Sequence, residues 1–419
     1  MENSLIKSSF KVLDKVYRQK AYVNIALNDE IKNQTKENKA IITSIVYGVL
    51  DNDIYLDYCL DKLVKKVKPV MRVMLKLGLY EILFSKLPKY ASVNAVVELS
   101  KENKKELASF VNAVLRKATE IDFPLPEDPI ENLSIRTSYP EYLVKELIKT
   151  YGYETTEKIL TARHPKNHVR VVDRDRFIKN AETNALIYTP SQAKDGVYIS
   201  YNDLEEIDDR AYTIQGLSSV LCVESIGIKN KDRILDVCAA PGGKSVYMAQ
   251  LAQNGIVVAC DIHKHRLELI KSYANKYGVK NIEVINNDGT KLNESFINCF
   301  DIVLCDVPCS GFGVANSKPD IKINREKDTS LPSIQYSILE NSSRYVKKGG
   351  TLFYSTCTIL DSENTNIVVK FIKSHPDFKE EEIVLPLKGI SKPAGVQLLQ
   401  GINSPEGFYM AKLIRKWFY

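Results

Sequence analysis

The chain has 419 residues, a length that exceeds what one hydrophobic core usually supports, so we expect two or three domains. It is 44% hydrophobic and 26% charged, the composition of an ordinary soluble protein, and no apolar run approaches the roughly 18 residues that a membrane span needs. The formal net charge of +6 favours a polyanionic partner only weakly, because a basic surface is often simply solvated. These features argue against a membrane protein and predict a cytoplasmic location.

The cysteine pattern predicts free thiols instead of a metal site. The eight cysteines contain no Cys-x-x-Cys spacing, and the five histidines add no ligand pattern. The first residues carry an acidic side chain and then a helical pattern, where a signal peptide would have an apolar core. We therefore expect reduced cysteines, no bound metal and no export.

Apolar residues repeat at helical spacing through about the first 125 residues, for example in the runs 41–50 and 107–115. This pattern predicts an all-α bundle for residues 1–125. Two groups of basic residues lie in it: Lys62, Lys65, Lys66, Lys68 and Arg72, and then Lys101, Lys104, Lys105, Arg116 and Lys117. Such groups most often form a solvated helix face, but they also suit phosphate contacts that do not read base sequence.

The proline-rich stretch Asp122–Leu133 cannot continue a helix and marks a domain boundary. Helical patterns return at Glu141–Thr150 and Glu154–Arg163, and short alternating strands follow from Val169 to Ile214. We therefore predict linking helices and a small α+β module over residues 126–220. A further domain would then cover residues 221–419.

From Asp232 onward the chain alternates strand, loop and helix. The predicted strands are Arg233–Cys238, Ile256–Asp261, Ile282–Asn286, Asp301–Asp306 and Thr351–Thr356. The clearest helix between them is Lys264–Tyr277, which Gly278 closes. This alternation predicts an α/β domain of the Rossmann-like type, with a doubly wound and mostly parallel sheet. Ligands of such sheets collect at the carboxyl ends of the strands.

The first strand end carries a glycine loop. Strand Arg233–Cys238 runs into Ala239–Ser245, which contains Gly242 and Gly243, and then into a helix. Glycines at such a turn let a ligand approach the backbone, and the free N–H groups of the helix start favour a negative group. The spacing is neither that of the dinucleotide fingerprint nor that of the P-loop, so a carboxylate fits better than a pyrophosphate or triphosphate.

Acidic residues end the next two strands. Asp261 lies roughly 20 residues after the glycines, where an acid commonly accepts hydrogen bonds from ribose hydroxyls. Asp288 follows the third strand, where a carboxylate could accept a bond from an adenine amino group. Either acid alone is equally explained as a helix N-cap. Loop, acid and acid together fit a ligand with a carboxylate, a ribose and an adenine, so the predicted cofactor is S-adenosylmethionine.

Two further strand ends carry reactive groups. Asp306 and Cys309 follow one apolar run, and Cys357 follows another. A single cysteine after an apolar strand is more often a small buried hydrophobe than a nucleophile. The pairing of Asp-x-Pro-Cys with Thr-Cys, behind a cofactor loop, favours chemistry instead. We therefore predict an acid and two thiols over one pocket.

Four motifs together resemble one enzyme family: Asp236–Ser245, Asp306–Gly311, Ser355–Cys357 and Gly407–Leu413. They are similar to the RNA cytosine-C5 methyltransferases of the NOL1/NOP2/sun family. The stretches Met71–Lys101 and Ser109–Lys117 resemble the helical RNA-binding fold of the NusB antitermination factors. A chain with both parts resembles the branch of the family that modifies 16S ribosomal RNA.

The resemblance implies a role for each reactive residue. Cys357 would add to C6 of cytosine, because C5 is too poor a nucleophile to take a methyl group directly. Asp306 would hold and protonate N3, and Cys309 would assist the release of Cys357 after methyl transfer. DNA cytosine methyltransferases place their nucleophile in a Pro-Cys like Pro308-Cys309, so Cys309 as nucleophile is the alternative.

The resemblance also implies a cofactor site and a substrate. The cofactor-binding residues that it implies are Cys238, Ala239, Ala240, Pro241, Gly242, Gly243, Lys244, Asp261, Asp288 and Asp306. We expect a monomer whose partner is 16S ribosomal RNA, with transfer RNA as the closest alternative substrate. An RNA-binding protein with a vestigial methyltransferase domain is the alternative from another class. The intact loop, acids and cysteines favour the enzyme. The chain departs from the family at Asn316-Ser317, where two arginines are usual.

Overall fold

A computed structural model describes residues 2–103, 105–163 and 167–417 of the protein. The chain divides into two compact units. The helical unit comprises Met1–Thr161 and Ala315–Lys327, and the sheet unit comprises Ala162–Val314 and Asp328–Tyr419. The predicted boundaries at residues 125 and 220 stay a prediction. Lys104, one of the predicted basic residues, lies outside the described residues, as does the side chain of Lys105.

The helical unit confirms the prediction of an all-α front. Its helices are α1 (Glu2–Gln19), α2 (Val23–Ile31), α3 (Lys36–Asp51), α4 (Asp53–Leu63), α5 (Pro69–Phe84), α6 (Lys89–Asn103), α7 (Ala108–Glu120), α8 (Pro129–Thr137), α9 (Glu141–Tyr151) and α10 (Tyr153–Thr161). One core joins helices α1 to α7, with Leu13, Val46, Leu77 and Leu115 fully buried in it. Each such side chain contributes about 1.5–3 kcal/mol by leaving water.

The first part of the proline-rich stretch separates α7 from α8, but both helices lie in the helical unit, so the domain boundary at this stretch stays a prediction. Residues 121–128 contain no helix, and α8 starts only at Pro129. The Asp128 side chain accepts hydrogen bonds from the backbone N–H groups of Ile130 and Glu131, so it caps the new helix. Proline at the first helical position costs nothing, because that N–H has no partner within the helix.

A segment from late in the chain completes the helical unit. This inserted segment, Ala315–Lys327, contains a 3₁₀ helix at Pro319–Ile323, and Ile323 packs against the core of the bundle. The Lys322 side chain is buried, and its Nζ lies 2.8 Å from Asp51 Oδ1 and 4.4 Å from the centre of the Tyr139 ring. The helical unit is therefore built from two separate stretches of the chain.

Four charged side chains form a helical ion cluster: Asp53, Asp57, Lys76 and Arg325. Lys76 Nζ lies 2.5 Å from Asp53 Oδ1 and 2.7 Å from Asp57 Oδ2. Arg325 Nη2 lies 2.6 Å from Asp53 Oδ2 and also pairs with Asp57. Burial opposes the ionisation of Asp53, but Lys76 and Arg325 bring its pKa below the ordinary value. The cluster anchors the inserted segment to helices α4 and α5.

The sheet unit begins with the small α+β module that the sequence predicts. Its elements are β1 (Asn167–Val171), α11 (Arg174–Thr183), β2 (Tyr188–Pro190), β3 (Gly196–Ile199), α12 (Tyr201–Leu204) and β4 (Tyr212–Ile214). The strands form an antiparallel sheet in the order β2-β3-β1-β4. The prediction of strands joined by turns between Val169 and Ile214 was wrong at the short α12 and at the longer α11. That helix buries only Phe177 and Ala181, so its apolar periodicity is weak.

A large sheet follows, and it confirms the Rossmann-like prediction. Its elements are α13 (Leu217–Ile226), β5 (Arg233–Asp236), α14 (Gly243–Leu251), β6 (Ile256–Asp261), α15 (Lys264–Lys276), β7 (Ile282–Asn286), β8 (Phe300–Asp306), α16 (Leu331–Ser343), β9 (Val346–Thr356), α17 (Thr365–Ser374), β10 (Phe378–Glu381), β11 (Ile390–Ser391), β12 (Val396–Leu398) and β13 (Phe408–Arg415). No helix in the described ranges has both the length and the apolar character that crossing a bilayer requires.

The strand order of the large sheet determines where a ligand fits. The order is β11-β12-β13-β9-β8-β5-β6-β7, and β10 pairs with β13. Strands β5 to β9 are mutually parallel, and β13 lies antiparallel to β9. The direction of winding reverses between β5 and β8. Ligands of open parallel sheets bind at the carboxyl ends of strands beside such a reversal.

Candidate active site

The reactive side chains predicted at two strand ends lie on neighbouring strands. Strands β8 and β9 are parallel neighbours, and Asp306 is paired in register with Ser355. The segments that follow β8 and β9 leave the sheet at the same edge, so Cys309 and Cys357 meet there. Cys309 Sγ and Cys357 Sγ lie 3.3 Å apart.

Asp306 is held by two partners. Lys244 Nζ donates to Asp306 Oδ2 at 2.7 Å, and Ser355 Oγ donates to Asp306 Oδ1 at 2.7 Å. Burial alone would lower the pKa of Lys244, but the Asp306 carboxylate beside it raises that pKa above its ordinary value. The amine therefore stays protonated, and the pair keeps one proton at this strand end.

The contact between Lys244 and Asp306 is one that the sequence analysis missed. The family resemblance implied only a cofactor-binding role for Lys244. In the structure Lys244 lies in the first turn of α14, with its side chain 15% exposed. Its Nζ reaches the acid at the end of β8. The missed signal is the short connection from β5 to α14, which starts a helix beside the neighbouring strand.

The surroundings of Cys309 favour its protonated form. The hydrogen bond with Cys357, followed by burial, raises the pKa of the Cys309 thiol well above its usual range. All eight cysteines are free thiols. Cys309 therefore keeps its proton near neutral pH and can share it with the sulfur beside it.

A glycine lets the two cysteine-bearing loops approach each other. The Gly313 N–H donates to the carbonyl oxygen of Cys357 at 3.0 Å, and the Gly313 carbonyl accepts from the Gly407 N–H at 2.7 Å. A Cβ at position 313 would lie 2.1 Å from the Gly407 oxygen and 2.8 Å from the Cys357 oxygen. Any side chain there would push the loop after Cys309 away from β9.

The predicted cofactor loop connects β5 to α14. Gly242 precedes the helix with φ of 114°, in the region that favours glycine, and a Cβ there would lie 3.1 Å from the Cα of Ile270. The Ala239 N–H donates to the Cys260 carbonyl at 2.7 Å, which fixes the loop against β6. Cys238, Ala240 and the exposed Pro241 lie in the same connection. The first N–H groups of α14 have no acceptor within the helix, so they suit a carboxylate.

Asp236, at the end of β5, supports this loop from behind. Ser245 Oγ donates to Asp236 Oδ2 at 2.6 Å. Burial raises the pKa of Asp236 to about 7. The sequence analysis included this residue in a motif without giving it a role. Its structural role is to fix the first turn of α14.

Asp261 ends β6 and is buried. Its Oδ1 accepts the His263 N–H at 2.9 Å, and Arg266 Nη1 lies 3.4 Å from its Oδ2. The carboxylate thus organises the start of α15, in keeping with the capping alternative. A carboxylate offers about four acceptor positions, so these contacts leave room for ribose hydroxyls.

Asp288 follows β7 and is engaged in a local turn. Its Oδ1 accepts from the Thr290 N–H at 3.1 Å and from Thr290 Oγ1 at 2.6 Å. The Thr290 side chain is also the largest cause of the lowered pKa of Asp288.

Among the described side chains, no group of three or more His, Cys, Asp or Glu residues is arranged to hold a metal ion.

Sequence relatives place the chain in a family. Residues 224–414 match the family described as 16S rRNA methyltransferase RsmB/F, and residues 7–120 match the NusB family. The chain is 35% identical to the probable ribosomal RNA small subunit methyltransferase B of Bacillus subtilis (strain 168), over 97% of this chain and 98% of that protein. It is 30% identical to the ribosomal RNA small subunit methyltransferase B of Photorhabdus laumondii, over 97% of each. The chain therefore belongs to the RsmB/F family and is an RNA methyltransferase.

Solved structures share its fold. The crystal structure of the protein PH0851 matches 98% of both chains with a TM-score of 0.85 at 20% identity. The structure of NSun6 from Pyrococcus horikoshii with SFG matches 67% of this chain and 99% of that chain, with a TM-score of 0.58 at 20% identity. At these identities the likeness shows the fold alone. The predicted NusB-like front and Rossmann-like methyltransferase domain are confirmed.

Proposed function

We propose that the protein transfers a methyl group from S-adenosylmethionine to C5 of one cytosine in 16S ribosomal RNA, as a cytoplasmic monomer. Family membership supports a ribosomal RNA substrate, since the relatives are named for the small-subunit RNA. The observation that carries the cytosine-C5 part is the pair of sulfurs 3.3 Å apart, one strand end away from an acid and a lysine. Methylation of an oxygen or an exocyclic nitrogen needs no thiol, whereas C5 needs a nucleophile at C6.

Cys357 starts the reaction. Its thiolate sulfur forms a bond to C6, and the π electrons of the C5–C6 bond move so that C5 becomes nucleophilic. N3 takes up a proton as the sulfur adds, and the Lys244–Asp306 pair supplies it, because the ammonium lies 2.7 Å from Asp306 Oδ2. Bound S-adenosylmethionine supplies the methyl group that C5 takes.

The release step reverses the addition. The C5 proton passes to a base, and the electron pair of the C5–H bond restores the C5–C6 double bond as the bond from sulfur to C6 breaks with its electrons returning to Cys357. N3 returns its proton to the Lys244–Asp306 pair, which leaves neutral 5-methylcytosine. A protonated thiol at Cys309 assists by hydrogen bonding to the departing sulfur, and the raised pKa of Cys309 supports this role. The alternative, with Cys309 as nucleophile, would require this thiol to ionise first.

The β5–α14 loop and Asp261 fit the two ends of S-adenosylmethionine. The N–H groups at the start of α14 suit the carboxylate of the methionine part. Asp261, buried at the end of the adjacent strand, retains acceptor positions for ribose hydroxyls. Asp288 offers a weaker fit to adenine, since Thr290 already occupies its Oδ1.

The helical unit would add affinity for RNA through phosphates. Lys62, Lys65, Lys66 and Lys68 are exposed, and so are Arg116 and Lys117. Arg72, by contrast, is committed to Asp57 and Asp61 at 2.6 Å and 2.9 Å. Contacts from exposed lysines neutralise phosphates and release counterions, so RNA binding should weaken steeply as salt rises.

Trapping of the covalent intermediate tests the mechanism. The protein is incubated with a 16S ribosomal RNA fragment and S-adenosylmethionine, resolved on a denaturing gel, and the RNA is sequenced after bisulfite treatment. Cys357→Ala should give neither a protein–RNA band nor 5-methylcytosine. Cys309→Ala should give a persistent band, because it methylates and then releases slowly.

Cys299→Ala is the matched control, since Cys299 is another free thiol of the sheet unit, hydrogen-bonded to the Ser295 carbonyl. It should behave as the unchanged protein. Trapping by Cys357→Ala and none by Cys309→Ala would reverse the two roles. Full methylation by Cys357→Ala without any band would overturn the covalent mechanism.

A further inference from the structure

The loop that carries Cys309 is held by a buried acid that the mechanism does not use. Glu363 lies between β9 and α17 and is 3% exposed. Its Oε2 accepts the Ser310 backbone N–H at 2.9 Å and the Gln335 side-chain amide at 2.9 Å. Both donors are neutral. A buried carboxylate held by neutral donors is costly to bury, which favours a functional reason for its presence.

Gln335 connects Glu363 to the backbone on the other side of Cys309. This side chain, on α16, is fully buried, and its Nε2 also donates to the Pro308 carbonyl at 2.9 Å. The carbonyl before Cys309 and the N–H after it are therefore tied to the same carboxylate oxygen, one through Gln335 and one directly. These bonds fix the backbone on both sides of the Cys309 Cα.

The same loop is tied to the residue after Cys357. Ser310 Oγ and Thr358 Oγ1 are hydrogen-bonded at 2.7 Å, and the Thr358 carbonyl accepts from Asn364 Nδ2 at 3.1 Å. Glu363 thus acts on one cysteine loop while its neighbour Asn364 acts on the other. The separation of the two sulfurs depends on both.

We propose that Glu363 is a positioning residue that, through Gln335 and the Ser310 N–H, holds the Cys309 thiol against Cys357 and so sets the rate of product release. The inference rests on the proposed function, in which Cys309 assists the departure of Cys357. Glu363 touches neither sulfur in this account. It fixes the backbone that presents one of them.

Electrostatics supports the same role. The pKa of Cys309 is raised mainly by the hydrogen bond with Cys357 and by burial, and the negative charge of Glu363 adds to the effect. The acid therefore also favours a Cys309 that keeps its proton. A protonated Cys309 is what the release step needs.

The test compares Glu363→Ala, Glu363→Gln and Gln335→Leu in the full chain, by the gel assay for covalent adduct and by steady-state kinetics. Glu363→Ala should still form the adduct, accumulate it as Cys309→Ala does, and lose about 10- to 100-fold in kcat, because a shift of roughly 1 Å at a reacting group has effects of that size. The kcat/KM for S-adenosylmethionine should not change, because the variant slows only a step that follows methyl transfer. Glu363→Gln should rescue most of the rate, since its amide oxygen can accept both N–H groups.

Gln335→Leu keeps the side-chain volume and removes the tie to Pro308, so it should accumulate adduct to a lesser degree. Glu224→Ala is the matched control, because Glu224 Oε1 likewise accepts from two neutral donors, Tyr247 Oη and the Lys194 N–H, each at 3.0 Å. It should not accumulate adduct. Cofactor binding measured by calorimetry verifies that each variant is folded.

Three outcomes would overturn the inference while leaving the proposed function intact: no adduct accumulation in Gln335→Leu when Cys309→Ala accumulates it, failure of Glu363→Gln to rescue, or a change confined to KM. If Cys309→Ala itself traps nothing while the unchanged protein methylates, the proposed release step fails instead. If Glu363→Ala does not fold, Glu363→Gln and Gln335→Leu decide the matter.

Discussion

Each unit of this protein contains a lysine–aspartate pair, and the two pairs differ in how far they are buried and in what surrounds them. In the helical ion cluster, Lys76 is 6% exposed and Asp53 2% exposed, and two acids face two cations. At the strand ends of the sheet unit, Lys244 is 15% exposed and Asp306 26% exposed. In the helical ion cluster, other side chains of the protein neutralise each charge. The Lys244–Asp306 pair is more accessible to solvent, so a substrate can approach the proton that it holds. We therefore expect the helical ion cluster to stabilise the fold and the Lys244–Asp306 pair to take part in the reaction.

We expect the largest effect on the methylation rate from a change in the Lys244–Asp306 pair. Asp306→Asn removes the carboxylate that passes a proton to N3, so the single-turnover methylation rate at saturating cofactor should fall about 10²- to 10⁴-fold. The unfolding free energy should change little by comparison. The control is Asp301→Asn on the same strand, whose Oδ1 lies 2.7 Å from Lys347 Nζ. Equal rate losses in both variants would contradict a special role for Asp306.

A change in the helical ion cluster should lower the stability of the protein and leave the methylation rate unchanged. Lys76→Met leaves Asp53 and Asp57 buried with one cation fewer, so the unfolding free energy from urea titration should fall by about 3–5 kcal/mol. The methylation rate per folded molecule should stay unchanged. Lys11→Met, which removes a 3.3 Å surface pair with Glu30, should cost less than about 1 kcal/mol. A lost rate with unchanged stability would show that the helical cluster acts in catalysis.

A third prediction concerns how the unfolding free energy depends on pH, which should differ between the buried Asp236 and an aspartate paired with arginine. Burial raises the pKa of Asp236 from 3.8 to about 7. Between these two values the unfolded chain has released the proton and the folded chain has kept it, so stability falls as pH rises, by on the order of 4 kcal/mol in total. Asp236→Asn cannot titrate and should flatten the change in unfolding free energy between pH 5 and pH 8. Asp208→Asn should not, because Arg210 lowers the pKa of the half-buried Asp208 to about 2. An unaltered slope in Asp236→Asn would assign the pH dependence to other groups.

The smallest effect concerns the cofactor. Asp261→Ala should weaken S-adenosylmethionine binding by about 1–3 kcal/mol in calorimetry, the scale for a lost hydrogen-bond partner. Asp288→Ala should weaken it less, because Thr290 already takes up the Asp288 Oδ1. Unchanged affinity in Asp261→Ala would remove this residue from the site. A larger loss in Asp288→Ala would reverse the ranking of the two acids.

The parallel strands were predictable because each is an apolar run that ends at a polar group. The predicted bounds of Ile256–Asp261 and Ile282–Asn286 agree with β6 and β7. The meeting of Cys309 with Cys357 followed from strand order, since a parallel sheet brings the ends of its strands to one edge. Periodicity and strand order therefore determine most of the candidate site.

The missed contacts depend on details of packing that a linear pattern does not contain. Lys244 reaches Asp306 because α14 begins just after β5, the parallel neighbour of β8, and its position depends on the length and path of the β5–α14 loop. Arg325 pairs with Asp53 across 272 positions of sequence, and neither residue lies in a motif. Gln335, on α16, and Glu363, between β9 and α17, are far apart in sequence and meet only behind the Cys309 loop. Such contacts require the folded chain.

The inserted segment has a consequence for protein synthesis. Helices α1 to α10 leave the ribosome long before residues 315–327 exist, an interval of roughly ten to thirty seconds at about 5–20 residues per second. During that time Asp53 and Asp57 have Lys76 and Arg72 nearby but lack Arg325. The nascent front therefore lacks one cationic partner of Asp53 and Asp57 until Arg325 is made, by which time only strands β5 to β8 of the nine-stranded sheet have been synthesised. A fragment ending at residue 161 would be held permanently at that stage.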